Sequence, residues 1–379
     1  MDFMTGLGDG IKKLGFGLMR LPQKDGGIDI DQTKVMVDMF MDSGFTYFDT
    51  AWAYPGSEDA VRQAIVERYP RDRFLLATKL SAWRVRTKED AEKQFETSLE
   101  RTGAGYFDFY LLHNLGRYRT HYFDDFDIWN FAQEKKREGK VKHVGFSFHS
   151  DAEELEKILR THPEMEFVQL QLNYGDWEST EVQSRRIYEV ARKYDKPIIV
   201  MEPVKGGLLA DPPDKVAEIL KKADPEASCA SWAIRFAASL EGVMVVLSGM
   251  SDIAQMEDNL SYMKDFRPLD DDELRTVHEA RKMLESIPII PCTNCRYCIK
   301  ECPKDIGIPG TLNAMNLLIL FDNLKRAQLS EDFNVAMSGS GRAYDCIKCG
   351  RCESVCPQQI PIRQRLEEAV VKLELKKKE

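Results

Sequence analysis

The chain has 379 residues, 43% of them apolar and 30% charged, with a formal net charge of −9. Such a length and balance describe a globular protein of two or three domains with a large core, and the charge argues against nucleic acid as a partner, because no broad basic face is available to neutralise phosphates. No stretch is apolar for long enough to cross a bilayer, and the opening MDFMTGLGDG lacks the charged start and apolar run of a signal peptide. A cytoplasmic location is therefore expected, where cysteines are rarely paired as disulfides. Nine cysteines, eight of them after residue 290, then call for another explanation. The basic run Lys376, Lys377 and Lys378 reads as a solvated tail.

In chain order, LGFGLMR, FTYFDT, RFLLATKL, FDFYLLHN, VKHVGFSF, EFVQLQLNY, PIIVMEP and GVMVVLSG read as eight strands. They are short, apolar and without clean alternation, the pattern of parallel strands buried on both faces. Helices are expected between them at 33–42, 57–68, 88–101, 128–138, 152–160, 180–193 and 227–238. Ser57 before Glu58 reads as one start signal, and Asp151 with Glu153 and Glu154 in the following turn as another. Eight strand–helix units predict an α/β fold, a (β/α)8 TIM barrel. A doubly wound sheet is the alternative, weakened because Gly15 and Gly17 belong to no GxGxxG run.

Four residues at the ends of successive strands make a chemical set: Asp49 and Tyr54, five residues apart, then Lys79 and His113. In a barrel, the carboxyl ends of the strands form the active-site face, so all four can converge. An ammonium beside a tyrosine stabilises the phenolate, and Asp49 can hold Lys79 in place. His113 can orient a substrate carbonyl, and the set can protonate an oxygen as hydride reaches its carbon. Each residue taken alone is equally well explained as hydrogen-bonded structure at a strand end; the four together are not.

DTAWAYPGSE, LATKL and LLHN, in order and suitably spaced, resemble the aldo-keto reductase family over residues 12–265. The resemblance implies Tyr54 as general acid/base, supported by Asp49, Lys79 and His113, an NAD(P)H cofactor and a small-molecule carbonyl substrate. It also implies that Ser147, Gln171 and Asn173, with Gln169 as an alternative match, lie near the nicotinamide amide. Gly17 and Met19 of the first strand would lie beneath it, with Met201 where relatives often stack an aromatic ring. Ser248, Met250, Gln255 and Asn259 fall where relatives read the adenosine phosphate with Lys and Arg. Without those charges, phosphate binding is weakened and NADP preference is in doubt. Trp52, Trp83 and the run Tyr118, Tyr122, Phe123, Phe126, Trp129 either wall a substrate pocket or pack a long loop. Arg84, Arg86, Arg117 and Arg119 either attract an anionic substrate or face water.

After Ile287-Pro288 the composition changes, which places a boundary between a barrel domain at 1–285 and a second domain at 286–379. Helical pieces at 311–323 and 331–336 separate two cysteine clusters, and 364–376 reads as a docking helix. Cys292, Cys295, Cys298 and Cys302-Pro303 repeat as Cys346, Cys349, Cys352 and Cys356-Pro357, both of the form C-x2-C-x2-C-x3-C-P. Three thiolates of such a run take three corners of a cubane, and the Cys-Pro cysteine reaches across to the other cluster. One [4Fe–4S] centre is assigned to Cys292, Cys295, Cys298 and Cys356, the other to Cys346, Cys349, Cys352 and Cys302. Zinc and disulfides explain two full copies poorly. The segment resembles two-cluster ferredoxins, and its long insert is similar to the α-helical ferredoxin variety, implying one-electron transfer and a redox partner such as ferredoxin. Cys229 reads as a buried core thiol.

Nicotinamide moves two electrons and a cluster one, so three functions stay open. The barrel is a nicotinamide-dependent reductase with clusters that relay electrons or brace the fold; or it holds a flavin (FMN) fed by the clusters from ferredoxin; or the chain is an electron-transfer module with an idle barrel, against which the intact tetrad argues.

Overall fold

The computed structural model describes residues 7–376 apart from Asp9, Glu181 and Asp322, so Lys377 and Lys378 lie outside the described residues. The chain packs as two units, Met1–Val204 with Leu220–His278, and Lys205–Ile219 with Glu279–Glu379. Among the described residues, no helix is long and apolar enough to cross a membrane.

In the first unit, strands β1 (Leu14–Gly17), β2 (Tyr47–Asp49), β3 (Leu75–Leu80), β4 (Phe107–Leu115), β5 (Val141–Phe148), β6 (Phe167–Gln171), β7 (Ile198–Met201) and β8 (Val243–Ser248) pair in parallel, each with the next, and β8 closes on β1. All nine residues of β4 are buried, which is why the sequence shows no alternation there: helices cover the outer face while side chains fill the inner one.

Register sorts the inward positions into layers. Gly15 pairs with Tyr47, Ala77 with Phe109, Leu111 with Gly145, Gly145 with Phe167, and Gln169 with Ile199. Tyr47, Ala77, Phe109, Leu111, Phe167, Ile199, Val245 and Leu247 form the apolar filling of the barrel. Two residues further along each strand, the period of 2 brings Asp49, Lys79, His113, Ser147 and Gln169 to the same inner face. The interior is thus apolar below and polar at the carboxyl end.

Helices Ile30–Asp42, Lys88–Thr102, Ala152–Thr161 and Ile253–Met263 open on Asp29, Thr87, Asp151 and Asp252, whose side chains accept backbone N–H bonds at 3.0, 3.2, 3.0 and 2.8 Å. The start signal expected at Ser57 is not one. Gly56 (φ 71°) occupies that cap, while the Ser57 hydroxyl is drawn into the barrel wall, donating to Leu18 O at 2.9 Å and meeting Thr50 Oγ1 at 2.7 Å. The helix expected from 180 begins at Ser184, and helices Thr120–Asp125, Asp214–Ala223, Ile253–Met263 and Asp271–Glu285 were not anticipated. Cys229 is only partly buried at the start of helix Cys229–Ser239.

The second unit is internally duplicated with an offset of 54 residues. Asn294 and Arg296 (φ 55° and 64°) repeat as Lys348 and Gly350 (59° and 77°), and Asp305 (47°) repeats as Gln359 (50°). These left-handed residues bend each loop between its thiols. Helix Tyr297–Glu301 repeats as Arg351–Ser354, and Ile308–Phe321 as Ile362–Lys372, each packed on its counterpart. Ile306, Ile308, Ile360 and Ile362 are all buried and anchor the two halves. Helix Leu324–Ser338 lies between the halves in sequence.

Candidate active site and cluster centres

Asp49 ends β2, Lys79 lies near the end of β3 and His113 near the end of β4, so parallel pairing of neighbouring strands brings the three together; none is more than 3% exposed. Lys79 Nζ is ion-paired with Asp49 Oδ1 and donates to Thr50 O at 2.7 Å, and Gln169 Nε2 donates to Asp49 Oδ2 at 3.1 Å. Tyr54 reaches the same place from the loop after β2. The Lys79 ammonium stands 4.9 Å from its ring centroid, and the His113 ring meets it edge-on at 5.9 Å and 85°. All four tetrad residues named from the sequence are brought together.

Burial pushes the Asp49 carboxyl up and the Lys79 ammonium down, and each charge pulls the other back towards its ionised form. His113 is held well below the usual imidazole range by burial, then by its neighbours Lys79, His149 and Arg119, each of which opposes a second positive charge there. It is therefore neutral near pH 7 and acts as a hydrogen-bonding group, with Ser81 Oγ 3.4 Å from Nδ1.

Ser147 and Gln171 line the polar layer beside the tetrad, with partly buried Met201 on the next strand. Ser147 Oγ accepts from Asn114 N at 2.7 Å. Gln171 Nε2 and Asn173 Nδ2 both donate to Asp176 Oδ2 at 3.0 Å, so these two amides meet at one carboxylate while Gln169 joins Asp49. Gly17 lies at the end of β1, where an added Cβ would stand 3.4 Å from Ser248 O; Met19 is in the 3-10 turn after the strand rather than in it. Met250 is in the core. Gln255 accepts from Ser251 N at 2.9 Å and donates to Asp252 at 3.0 Å, and Asn259 is buried on the same helix with its Oδ1 unpartnered.

The aromatic run is mostly packing. Phe123 and Trp129 belong to the core, Tyr122 and Phe126 pack against it, and Tyr118 is exposed. Trp83 of the proposed wall lies against a tetrad ring, 5.1 Å from His113.

In the second unit, Cys302, Cys346, Cys349 and Cys352 line one small pocket together with Ile306, Ile308, Ile347 and Leu366. Burial raises the Cys298 thiol, as do the neighbouring Cys295, Cys292, Cys356 and Cys352. Cys352 is raised to about 11 by burial, then by Glu353, Cys346 and Cys302. Cys302 thus shares a pocket with three thiols of the second motif, and Cys356 acts on Cys298 of the first. Backbone N–H groups of Ile306 and Lys348 point at Cys302 Sγ (3.5 Å) and Cys346 Sγ (3.4 Å), donors suited to thiolates. Gly206 (φ 67°) packs on the first motif: a Cβ there would lie 2.7 Å from Thr293 Cα.

Residues 13–282 match the aldo/keto reductase family and residues 291–360 the 4Fe–4S dicluster domain. An aldo-keto reductase of Mycolicibacterium smegmatis is 27% identical over 141 residues, 37% of this chain and 47% of that protein; aldo-keto reductase str7 of Strobilurus tenacellus is 28% identical, covering 52% and 60%. The chain thus spans about half the length of the first of these relatives. The fold is similar to that of an aldo-keto reductase from Bacillus halodurans in its holo form (TM-score 0.58, 22% identity, 71% of this chain, 91% of that one). An enzyme from Klebsiella pneumoniae solved with NADP and acetate is equally similar (0.59, 22%, 71% and 91%). With most of its length matched and the barrel closed around the shared residues, the chain belongs to the aldo/keto reductase family and carries a C-terminal 4Fe–4S dicluster domain.

Proposed function

We propose that the barrel reduces the carbonyl group of a small molecule by hydride transfer, with Tyr54 as proton donor and NAD(P)H as cofactor. The observation that carries this reading is the Lys79 ammonium, fixed by Asp49 and Thr50 and standing 4.9 Å from the Tyr54 ring. A bound nicotinamide supplies the hydride; Ser147, Gln169 or Gln171, and Met201 are the inner-wall residues that would hold it. Tyr54 gives its proton to the carbonyl oxygen, Lys79 stabilises the phenolate left behind, and solvent reprotonates it. Neutral His113 orients the oxygen. Tyr54→Phe keeps the ring and removes the proton, so kcat for a verified carbonyl substrate is expected to fall by roughly 10² or more; near-normal turnover overturns the reading.

The second unit holds two [4Fe–4S] clusters in this proposal, one on Cys292, Cys295, Cys298 and Cys356, the other on Cys346, Cys349, Cys352 and Cys302. The four-thiol cavity supports the second assignment. Each cluster carries one electron, so its partner is a one-electron carrier such as ferredoxin.

A further inference from the structure

The eight motif cysteines are not equally accessible. Cys349 is exposed, Cys298 and Cys352 are buried, and the other five lie between. Cys349 sits on the loop 346–350, which Lys348 (φ 59°) and Gly350 (φ 77°) bend outward from regular structure. Beside it the surface is apolar: Ile347 is 57% exposed, although it lines the same pocket as Cys302, Cys346, Cys349 and Cys352. Lys304 and Arg363, both exposed, line that pocket too, and no carboxylate does. The two carboxylates bound at its rim are taken. Glu353 accepts from Arg363 at 2.8 Å, and Glu367 is ion-paired with Lys348. Lys304 has no such pair among the described residues. The edge of the pocket therefore keeps a positive charge in a chain whose net charge is −9.

An exposed apolar side chain gains from being covered, while a cation at its border selects and steers an acidic surface. One-electron exchange between proteins uses small, short-lived interfaces of this kind, with a centre close to the surface. The thiols of the other centre, Cys292, Cys295, Cys298 and Cys356, are all at least partly buried. We propose that Ile347, Lys304 and Arg363, around exposed Cys349, form the docking surface for a small acidic ferredoxin, which meets the centre of Cys346, Cys349, Cys352 and Cys302 rather than the other. This rests on the two-cluster reading above and specifies the partner's face and charge. One electron leaves the reduced ferredoxin and one enters this chain; no bond forms and no proton moves.

The test is anaerobic calorimetric titration of the full holoprotein with an acidic two-cluster ferredoxin, at low salt and at 0.5 M salt. Binding is expected at low salt and is expected to weaken as salt rises. Lys304→Glu is expected to raise Kd about 3- to 10-fold, the worth of an exposed charge contact reversed in sign, and Ile347→Glu about 10-fold or more. Lys157→Glu, on the barrel helix Ala152–Thr161, leaves Kd in place. Iron content and the EPR signals after dithionite reduction show that each variant keeps both centres. An unchanged Kd in Lys304→Glu and Ile347→Glu overturns the inference, as does a ferredoxin that does not bind. A holoprotein dimer that Ile347→Glu splits into monomers also overturns it, because the occupant is then a second copy. The cluster reading is judged apart: about eight iron atoms and two EPR signals in the wild type sustain it whether or not ferredoxin binds. Their absence defeats both.

Discussion

His113 shows how a single position sets both chemistry and stability. Its imidazole stays neutral in the folded protein because burial, then the neighbouring Lys79, His149 and Arg119, oppose protonation. The unfolded chain binds that proton below the ordinary value of about 6.5. A depressed folded value means stability is present above 6.5 and is lost as pH falls from there towards the folded pKa. This one residue is therefore expected to lower stability as pH falls below 6.5. His113→Asn should therefore flatten the fall in Tm between pH 6.5 and 5, measured by calorimetric scans; an unchanged slope would show that His113 protonates in place.

At the scale of elements, the barrel depends on small residues where strands approach most closely. A Cβ on Gly145 would stand 2.4 Å from Phe167 O and 2.8 Å from the Phe167 ring. Both are fixed in the filled interior, so Gly145→Ala is expected to destabilise by about 1–3 kcal/mol, read as a lower denaturant midpoint. Helix Ile253–Met263 raises a second matter. In this protein a carboxylate, Asp252, caps its start, and Gln255 binds both that cap and the Ser251 N–H. A negative charge at the helix start offsets the attraction for phosphate that the helix dipole supplies. Little discrimination between NADPH and NADH is expected in calorimetric titrations; strongly selective NADPH binding would mean that a basic residue outside this segment holds the phosphate.

For the whole molecule, the duplicated second unit makes each cluster depend on both motifs. Cys302→Ala should damage the centre of Cys346, Cys349 and Cys352, lowering iron from about eight to about four atoms per chain while the other EPR signal persists. Loss confined to the centre of Cys292, Cys295 and Cys298 would refute the crossed ligation. The cysteine spacing pointed to each triplet of ligands, because three thiols on one loop are set by short-range separations. Strand identities were equally legible, since buried parallel strands leave apolar runs, and so was the tetrad, since each member lies at or close after a strand's end. Other features required the folded chain. Gln169 and Gln171 are both inward and two residues apart, and only packing decides that one meets Asp49 and the other Asp176. Ser57 reads locally as a cap, yet a tertiary hydrogen bond to Leu18 takes its hydroxyl. Segment 205–219, which follows β7 in sequence, belongs to the second unit because long-range packing, not chain order, decides its neighbours. Among four nearby arginines, composition cannot select one. Burial against Trp83 sets Arg119 apart from exposed Arg117, because the cost of a charge depends on the solvent and groups that the fold places around it.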